Sequence, residues 1–145
     1  GVARNSVPDN LTAQIEIRSF LGETKLAQKV DSFQQTFAEA AKSQGGTANF
    51  KTNKLAESYK VDPEESLLKA YKEVVEKRGG KFEMKETFIA SDTNALRGER
   101  GLRVFTVSTG VLNEHSKDET VKLSDMELLT KDLVSLLELL GSKAQ

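Results

Sequence analysis

Two glycine pairs limit where the helices of this chain can extend. Gly45–Gly46 and Gly79–Gly80 each follow a stretch whose apolar residues recur at helical spacing, and glycine commonly lies just beyond a helix end. The spacing predicts one helix from about Thr24 to Ser43 and a second that starts at Asp62–Glu65. Their apolar stripes are Leu26, Val30, Phe33, Phe37 and Ala41 in the first helix, and Leu67, Leu68, Tyr71, Val74 and Val75 in the second.

Polar residues at the helix starts support these predictions. Asp62 is the expected N-cap of the second helix, Pro63 fits its first position, and Glu65 completes the capping pattern. Ser124 and Glu127 form a capping box for a third helix. Its apolar residues line one side and indicate core packing: Met126, Leu129, Leu133, Leu136, Leu137 and Leu140.

Segments of alternating polarity lie between the predicted helices. Apolar and polar residues alternate over residues 11–18, which predicts a half-buried strand. We predict further strands near residues 48–52, 55–61, 81–88 and 102–107. The resulting fold class is α+β with partial α/β character. A structural boundary near Val61–Pro63 divides the chain into residues 1–62 and 63–145.

The composition narrows the classes of function. The 145 residues carry 21 Lys and Arg against 22 Asp and Glu, so no electrostatic footprint for nucleic acid or an anionic membrane is present. The chain has no cysteine, which excludes disulfides and thiolate chemistry. No apolar run approaches the length of a membrane span, and no signal peptide is recognisable. We therefore expect a soluble protein in the cytoplasm.

His115 is the only histidine and the first candidate for chemistry. It follows a predicted strand and Gly110, and it precedes the acidic pair Asp118 and Glu119. A histidine beyond a strand end and close to carboxylates is a reasonable metal ligand or acid/base. The alternative is a histidine on a surface loop with no chemical role. One histidine does not make a metal site, so most of any active site would lie outside these residues.

Two motifs carry a resemblance to a known family. The first comprises Asn5, Val7 and Pro8, followed by an alternating strand that ends at Arg18. The second lies far downstream and comprises Ser91, Asp92, Asn94 and Leu96, then Thr109, Gly110, Asn113, His115 and Glu119. In this order and spacing the chain resembles the C-terminal portion of the co-catalytic zinc exopeptidases, closest to the tripeptidase T-like branch.

The resemblance implies a fold and a set of roles. The fold would be part of a ferredoxin-like lid, or dimerisation, domain joined to the C-terminal part of a zinc-peptidase catalytic domain. The complete enzyme would bind two zinc ions, with His115 as a ligand, while four other ligands and the catalytic glutamate would lie outside this chain. Arg18 and Asn5 would bind the substrate. Residues that would orient the ligand or shape loops are Asp92, Asn94, Gly110, Asp118 and Glu119.

Each of these roles has a simpler alternative. Arg18 is otherwise a charge at a strand edge, Asp92 and Asn94 form a plain turn, and Glu119 is a solvated carboxylate. Gly110 permits a tight turn before the histidine loop.

Two functions from different classes follow. The first is the C-terminal fragment of a metal-dependent exopeptidase. The complete enzyme would hydrolyse short peptides or N-acyl amino acids with a zinc-activated water, and the fragment alone would be inactive. The second is a non-catalytic oligomerisation or binding module derived from that fold. For either function we expect a homodimer and no nucleic-acid or membrane partner; a small peptide is the substrate of the complete enzyme.

Overall fold

The regular structure of this chain is helical. The structure is a computed structural model and describes residues 9–143. Among these residues the predicted first and third helices are confirmed, and the second forms with a later start. A short π-helix lies between the second and third helices. The elements are α1 (Glu23–Ser43), α2 (Ser66–Lys77), the π-helix (Asn94–Glu99) and α3 (Leu123–Lys143).

The chain divides into two compact units. The first unit, Gly1–Thr52, contains α1, and the second unit, Asn53–Gln145, contains the other helices. The predicted domains, residues 1–62 and 63–145, stay a prediction. Among the described residues, none of the helices combines the length and the apolar character that crossing a membrane requires.

Both glycine pairs end their helices as the sequence predicts. Gly45 has a φ of 75° and Gly79 a φ of 81°, a left-handed conformation that glycine adopts at little cost. The amide of Gly46 donates to the carbonyl of Ala41 (2.9 Å), and the amide of Gly80 donates to that of Val75 (2.9 Å). These bonds are the Schellman motif, which satisfies carbonyls that the helix end leaves without partners.

The start of α2 has the predicted capping chemistry at a different position. The Asp62 carboxylate accepts from the Glu64 amide (2.9 Å), and the Glu65 carboxylate accepts from the Asp62 amide (3.2 Å). These bonds close a turn before the helix, and α2 begins only at Ser66 with Glu65 as N-cap residue. Pro63 therefore lies in the turn rather than in the first helical position. In α3, Ser124 lies inside the helix, which begins at Leu123.

The predicted α+β fold, including the ferredoxin-like lid, is wrong. Within residues 9–143 the structure has no strand and no sheet; an isolated antiparallel bridge joins Leu112 and Thr120. The five segments predicted as strands have no regular secondary structure. Period-two alternation selects segments that could form strands, but a strand is stabilised by its neighbours' hydrogen bonds and side chains, which the pattern does not specify.

The second unit, Asn53–Gln145, has its core between α2 and α3. Ala70 and Val74 pack against Leu136, and half-buried apolar residues surround them: Leu67, Tyr71, Leu139 and Leu140. The ring of Tyr71 also contacts the rings of Phe82 and Phe105, with centroids 6.4 and 5.7 Å away. Two of the segments predicted as strands therefore contact α2 through aromatic side chains instead of pairing in a sheet.

An ion pair joins the end of α2 to the middle of α3. The Arg78 guanidinium donates to both carboxylate oxygens of Asp132, from Nε at 2.6 Å and from Nη2 at 2.9 Å. Asp132 is only 3% exposed. The hydrogen bonds that Arg78 donates to Asp132 raise the pKa of Arg78 above its ordinary value. Two parallel bonds of this kind fix the orientation of both side chains, so they set the register between the helices.

Many large apolar side chains of the described residues are exposed. Leu11 is 90% exposed, Leu55 77%, Leu123 75% and Leu137 69%. The packing within the described residues therefore leaves a large part of their apolar surface in contact with solvent.

Loss of Arg78 is expected to destabilise the chain more than its partial exposure would indicate. Arg78→Leu should lower the free energy of unfolding by about 3 kcal/mol, because Asp132 then stays buried without its partner. In urea unfolding followed by circular dichroism, the double variant Arg78→Leu/Asp132→Leu should recover most of this loss. Lys77→Leu is the control, with a change within about 0.5 kcal/mol. A double variant as unstable as Arg78→Leu would contradict the interpretation.

Candidate functional site

A closed loop carries His115. The amide of Leu112 donates to the carbonyl of Thr120 (2.8 Å), and the amide of Thr120 donates to the carbonyl of Leu112 (3.1 Å). This pair of bonds brings the two ends of the loop together. The seven residues between them therefore form a compact turn rather than an open connection.

The backbone of the loop is held in an uncommon conformation. Asn113 and His115 have φ values of 55° and 63°, in the left-handed region that costs most residues free energy. The carboxylate of Glu119 accepts a hydrogen bond from the backbone amide of His115 (2.6 Å). The side-chain amide of Asn113 donates to the backbone carbonyl of Asp118 (3.3 Å). These bonds stabilise the strained backbone, and the His115 side chain lies on the surface.

Glu119 contacts the backbone of this loop, where its carboxylate holds the amide of His115. Its other predicted role, to orient the imidazole ring, stays a prediction. Within residues 9–143, no hydrogen bond joins a ring nitrogen of His115 to another residue. In the same residues, no group of three or more acidic or histidine side chains could hold a metal ion.

Gly110 links the histidine loop to the start of α3. It has a φ of 76°, as expected for a tight turn. A Cβ atom at this position would lie 2.9 Å from a carboxylate oxygen of Asp125, the end of a side chain that would have to turn away. Asp125 is the acidic residue of the first turn of α3, where the helix dipole favours a negative charge. The left-handed backbone is the feature that favours glycine at this position.

The loop of Asp92 and Asn94 is ordered by its own contacts. The Asn94 side chain accepts from the Ser91 amide (2.8 Å) and donates to the Glu57 carbonyl (2.6 Å). Asp92 is exposed. Among the described residues, no hydrogen bond or ion pair connects Asp92 or Asn94 with the His115 loop. The predicted loop-shaping role of Asn94 fits these contacts, and a position beside a metal ligand remains a prediction.

Arg97 is a central residue that the sequence motifs did not single out. On the π-helix it forms an ion pair with Glu65 at the start of α2 (Nη1–Oε2 3.1 Å). It also donates to the carbonyls of Lys60 (3.2 Å) and Val104 (3.1 Å). The hydrogen bonds that Arg97 donates to Glu65 lower the pKa of Glu65 and raise the pKa of Arg97. The partners lie far apart in sequence, so no local pattern predicts this contact.

A shallow cleft of about 430 Å³ lies beside this ion pair. It is separate from the His115 loop, and its polar side chains are largely engaged with one another. We therefore assign the cleft a structural role. Its lining residues are Asp62, Glu64, Glu65, Ser66, Arg97 and Arg103.

Of the two predicted substrate-binding residues, Arg18 lies in the first unit. The Nε atom of Arg18 donates to the carboxylate of Glu16 (2.5 Å), and both side chains are about half exposed. Asn5 lies outside the described residues 9–143.

Comparison with known proteins finds one similar protein of unknown function. The chain is 24% identical over 138 residues to the uncharacterized protein YqjE of Bacillus subtilis (strain 168); the match covers 95% of this chain and 37% of the relative. The chain thus spans little more than a third of that relative's length. Neither a family model nor a solved structure matches the chain.

The contact between Glu119 and His115 leads to a prediction about the loop. Glu119→Ala removes the acceptor of the His115 amide, so this amide should exchange its hydrogen with solvent at least about tenfold faster, as expected for the loss of a bond of about 1.4 kcal/mol. Exchange measured by NMR at each amide gives the result. Glu114→Ala is the control, because Glu114 is an exposed carboxylate of the same loop. Equal exchange rates in the two variants would refute the role of Glu119.

Proposed function

We propose that this chain is the C-terminal part of a metal-dependent exopeptidase and that His115 is one of its metal ligands. The observation that supports this proposal best is the His115 loop. Its backbone is fixed by the Leu112–Thr120 bridge and by Glu119, and it presents an imidazole on the surface. A fixed backbone with a free imidazole suits a metal ligand, because little conformational entropy is lost when the metal binds.

The described residues supply only this one ligand. A zinc site with an open position takes three protein ligands, and the described residues contain no group of three or more acidic or histidine side chains that could hold a metal ion. In this proposal the remaining ligands come from elsewhere in a longer protein; the relative that the chain matches is itself longer than the matched region. When bound, the metal would polarise a carbonyl and activate a water. The contribution of this chain is to hold and orient His115.

Arg18 is the proposed partner of the substrate carboxylate, together with Asn5. A guanidinium binds a carboxylate through two parallel bonds. In this chain Arg18 is half exposed and pairs with Glu16, and exposed ion pairs are weak enough for a substrate to replace. The proposal retains a short peptide or N-acyl amino acid as substrate and the cytoplasmic location that the sequence predicts.

A non-catalytic module for oligomerisation is the second candidate. The observation that favours it is the surface of α1, which buries none of its residues. Phe33 and Phe37 pair along this helix with ring centroids 4.6 Å apart, and Phe37 stays exposed. An apolar face of this kind suits contact with a second copy, so the expected homodimer also stays part of this proposal.

Zinc binding and hydrolysis test the role of His115. The pure 145-residue chain should bind no zinc tightly in calorimetric titration and should not hydrolyse di- or tripeptides. In the longer protein that carries these residues, His115→Ala should lower activity by at least about 100-fold, beyond the loss typical of residues that only orient a ligand. Glu114→Ala should leave activity unchanged. Hydrolysis by the isolated chain, abolished by a chelator, would contradict the proposal.

Substitution of Arg18 tests the substrate site in the same longer protein. Arg18→Lys keeps the charge but loses the two-pronged geometry, so kcat/KM should fall by about 10- to 100-fold, the equivalent of a charge-assisted bond of 1.5–3 kcal/mol. Lys25→Arg is the control for a charged residue of the same unit. Unchanged steady-state kinetics in Arg18→Lys would exclude the substrate-binding role and favour the non-catalytic module.

A further inference from the structure

The direction of the His115 side chain depends on the conformation of its own backbone. His115 has a φ of 63° and Asn113 a φ of 55°, so both lie in the left-handed region. Asparagine and histidine adopt this region more often than most residues, yet a side chain there costs free energy that glycine would avoid. Such a cost persists only where neighbouring contacts impose the conformation, and it commonly accompanies a functional side chain.

Most of the bonds inside the loop hold residues on either side of His115. Ser116 donates to the carbonyl of Asn113 from its amide (3.2 Å) and from its hydroxyl (2.8 Å). The Ser116 hydroxyl accepts from the amide of Asp118 (3.1 Å), and the Ser116 carbonyl accepts from the amide of Glu119 (3.2 Å). These contacts define a turn around His115, but none of them includes an atom of His115.

The carboxylate of Glu119 is the group that acts on His115 itself. Its Oε2 atom accepts from the His115 amide at 2.6 Å, a short bond of the kind that an ionised acceptor forms. The backbone and the side chain of a residue meet at its Cα atom, and the rotamers open to a side chain depend on φ and ψ. A bond that fixes the amide of His115 in the left-handed turn therefore also limits where the imidazole lies.

We infer that Glu119 is a positioning residue of the metal site and acts through the backbone amide of His115 rather than through its imidazole ring. This inference rests on the proposed function, in which His115 is a metal ligand. The amide is uncharged, so this role requires an acceptor at position 119 and not a negative charge. A carboxylate that orients the ring of a ligand histidine also raises the basicity of that ring, and there the charge matters.

Loss and rescue of the acceptor test the inference in the longer protein that carries these residues. Glu119→Ala should weaken zinc binding by about 10- to 100-fold, the range for residues that support a metal ligand. Glu119→Gln should stay within about threefold of the unchanged protein, because its side-chain oxygen accepts the same bond. Glu114→Ala is the matched control, since Glu114 is an exposed carboxylate of the same loop. Competition with a chromophoric chelator measures each dissociation constant.

The backbone conformation gives a second readout that needs no metal. The nuclear Overhauser effect between the amide and α protons of His115 is strong at a positive φ, because the two protons then lie closest together. In the 145-residue chain this signal should be strong in the unchanged protein and in Glu119→Gln, and it should weaken in Glu119→Ala. A strong signal in Glu119→Ala would overturn the inference.

The two measurements separate failure of the inference from failure of the proposed function. Equal losses of zinc affinity in Glu119→Gln and Glu119→Ala, or no loss in Glu119→Ala, overturn the inference and leave His115 as a metal ligand. Zinc binding that stays unchanged in His115→Ala overturns the proposed function and the metal role of Glu119 with it, whatever the NMR signal shows.

Discussion

The contact between α2 and α3 is the interaction on which the second unit depends. Ala70 and Val74 meet Leu136 in a small apolar core, and the paired Arg78 and Asp132 side chains fix how the two helices align. A buried ion pair is stable only while both members are present, so it selects one register of the helices over others. The start of α3, with Asp125, lies against Gly110 and so joins the histidine loop to this core.

The loop that carries His115, the candidate metal ligand, is held mainly by contacts between residues close in sequence. Its stabilising bonds run between residues 112 and 120, which are close in sequence, so a short motif was enough to single out His115, Gly110 and Glu119. The motif left open whether Glu119 would hold the backbone or orient the imidazole ring. A carboxylate four residues away reaches either group, and only the left-handed turn at His115 brings the amide toward it.

The predicted sheet shows where sequence periodicity stops being informative. Residues 81–88 and 102–107 alternate in polarity, yet Phe82 and Phe105 contact Tyr71 on α2 and form no ladder. Alternation records which side of a segment is apolar, but the free energy of a strand comes from its neighbours. Other apolar side chains of these segments stay about half exposed, among them Met84, Phe88 and Leu102.

The sequence by itself determined the helices, their glycine ends and the histidine loop, because these features depend on residues within a few positions of each other. The absence of a side chain lets Gly45, Gly79 and Gly110 adopt a left-handed φ at little cost. Only the tertiary structure decided that Arg97 pairs with Glu65 and Arg78 with Asp132. It also decided which face of α3 meets α2. These contacts join residues 32 and 54 positions apart, and charges with many possible partners find one only when the helices pack.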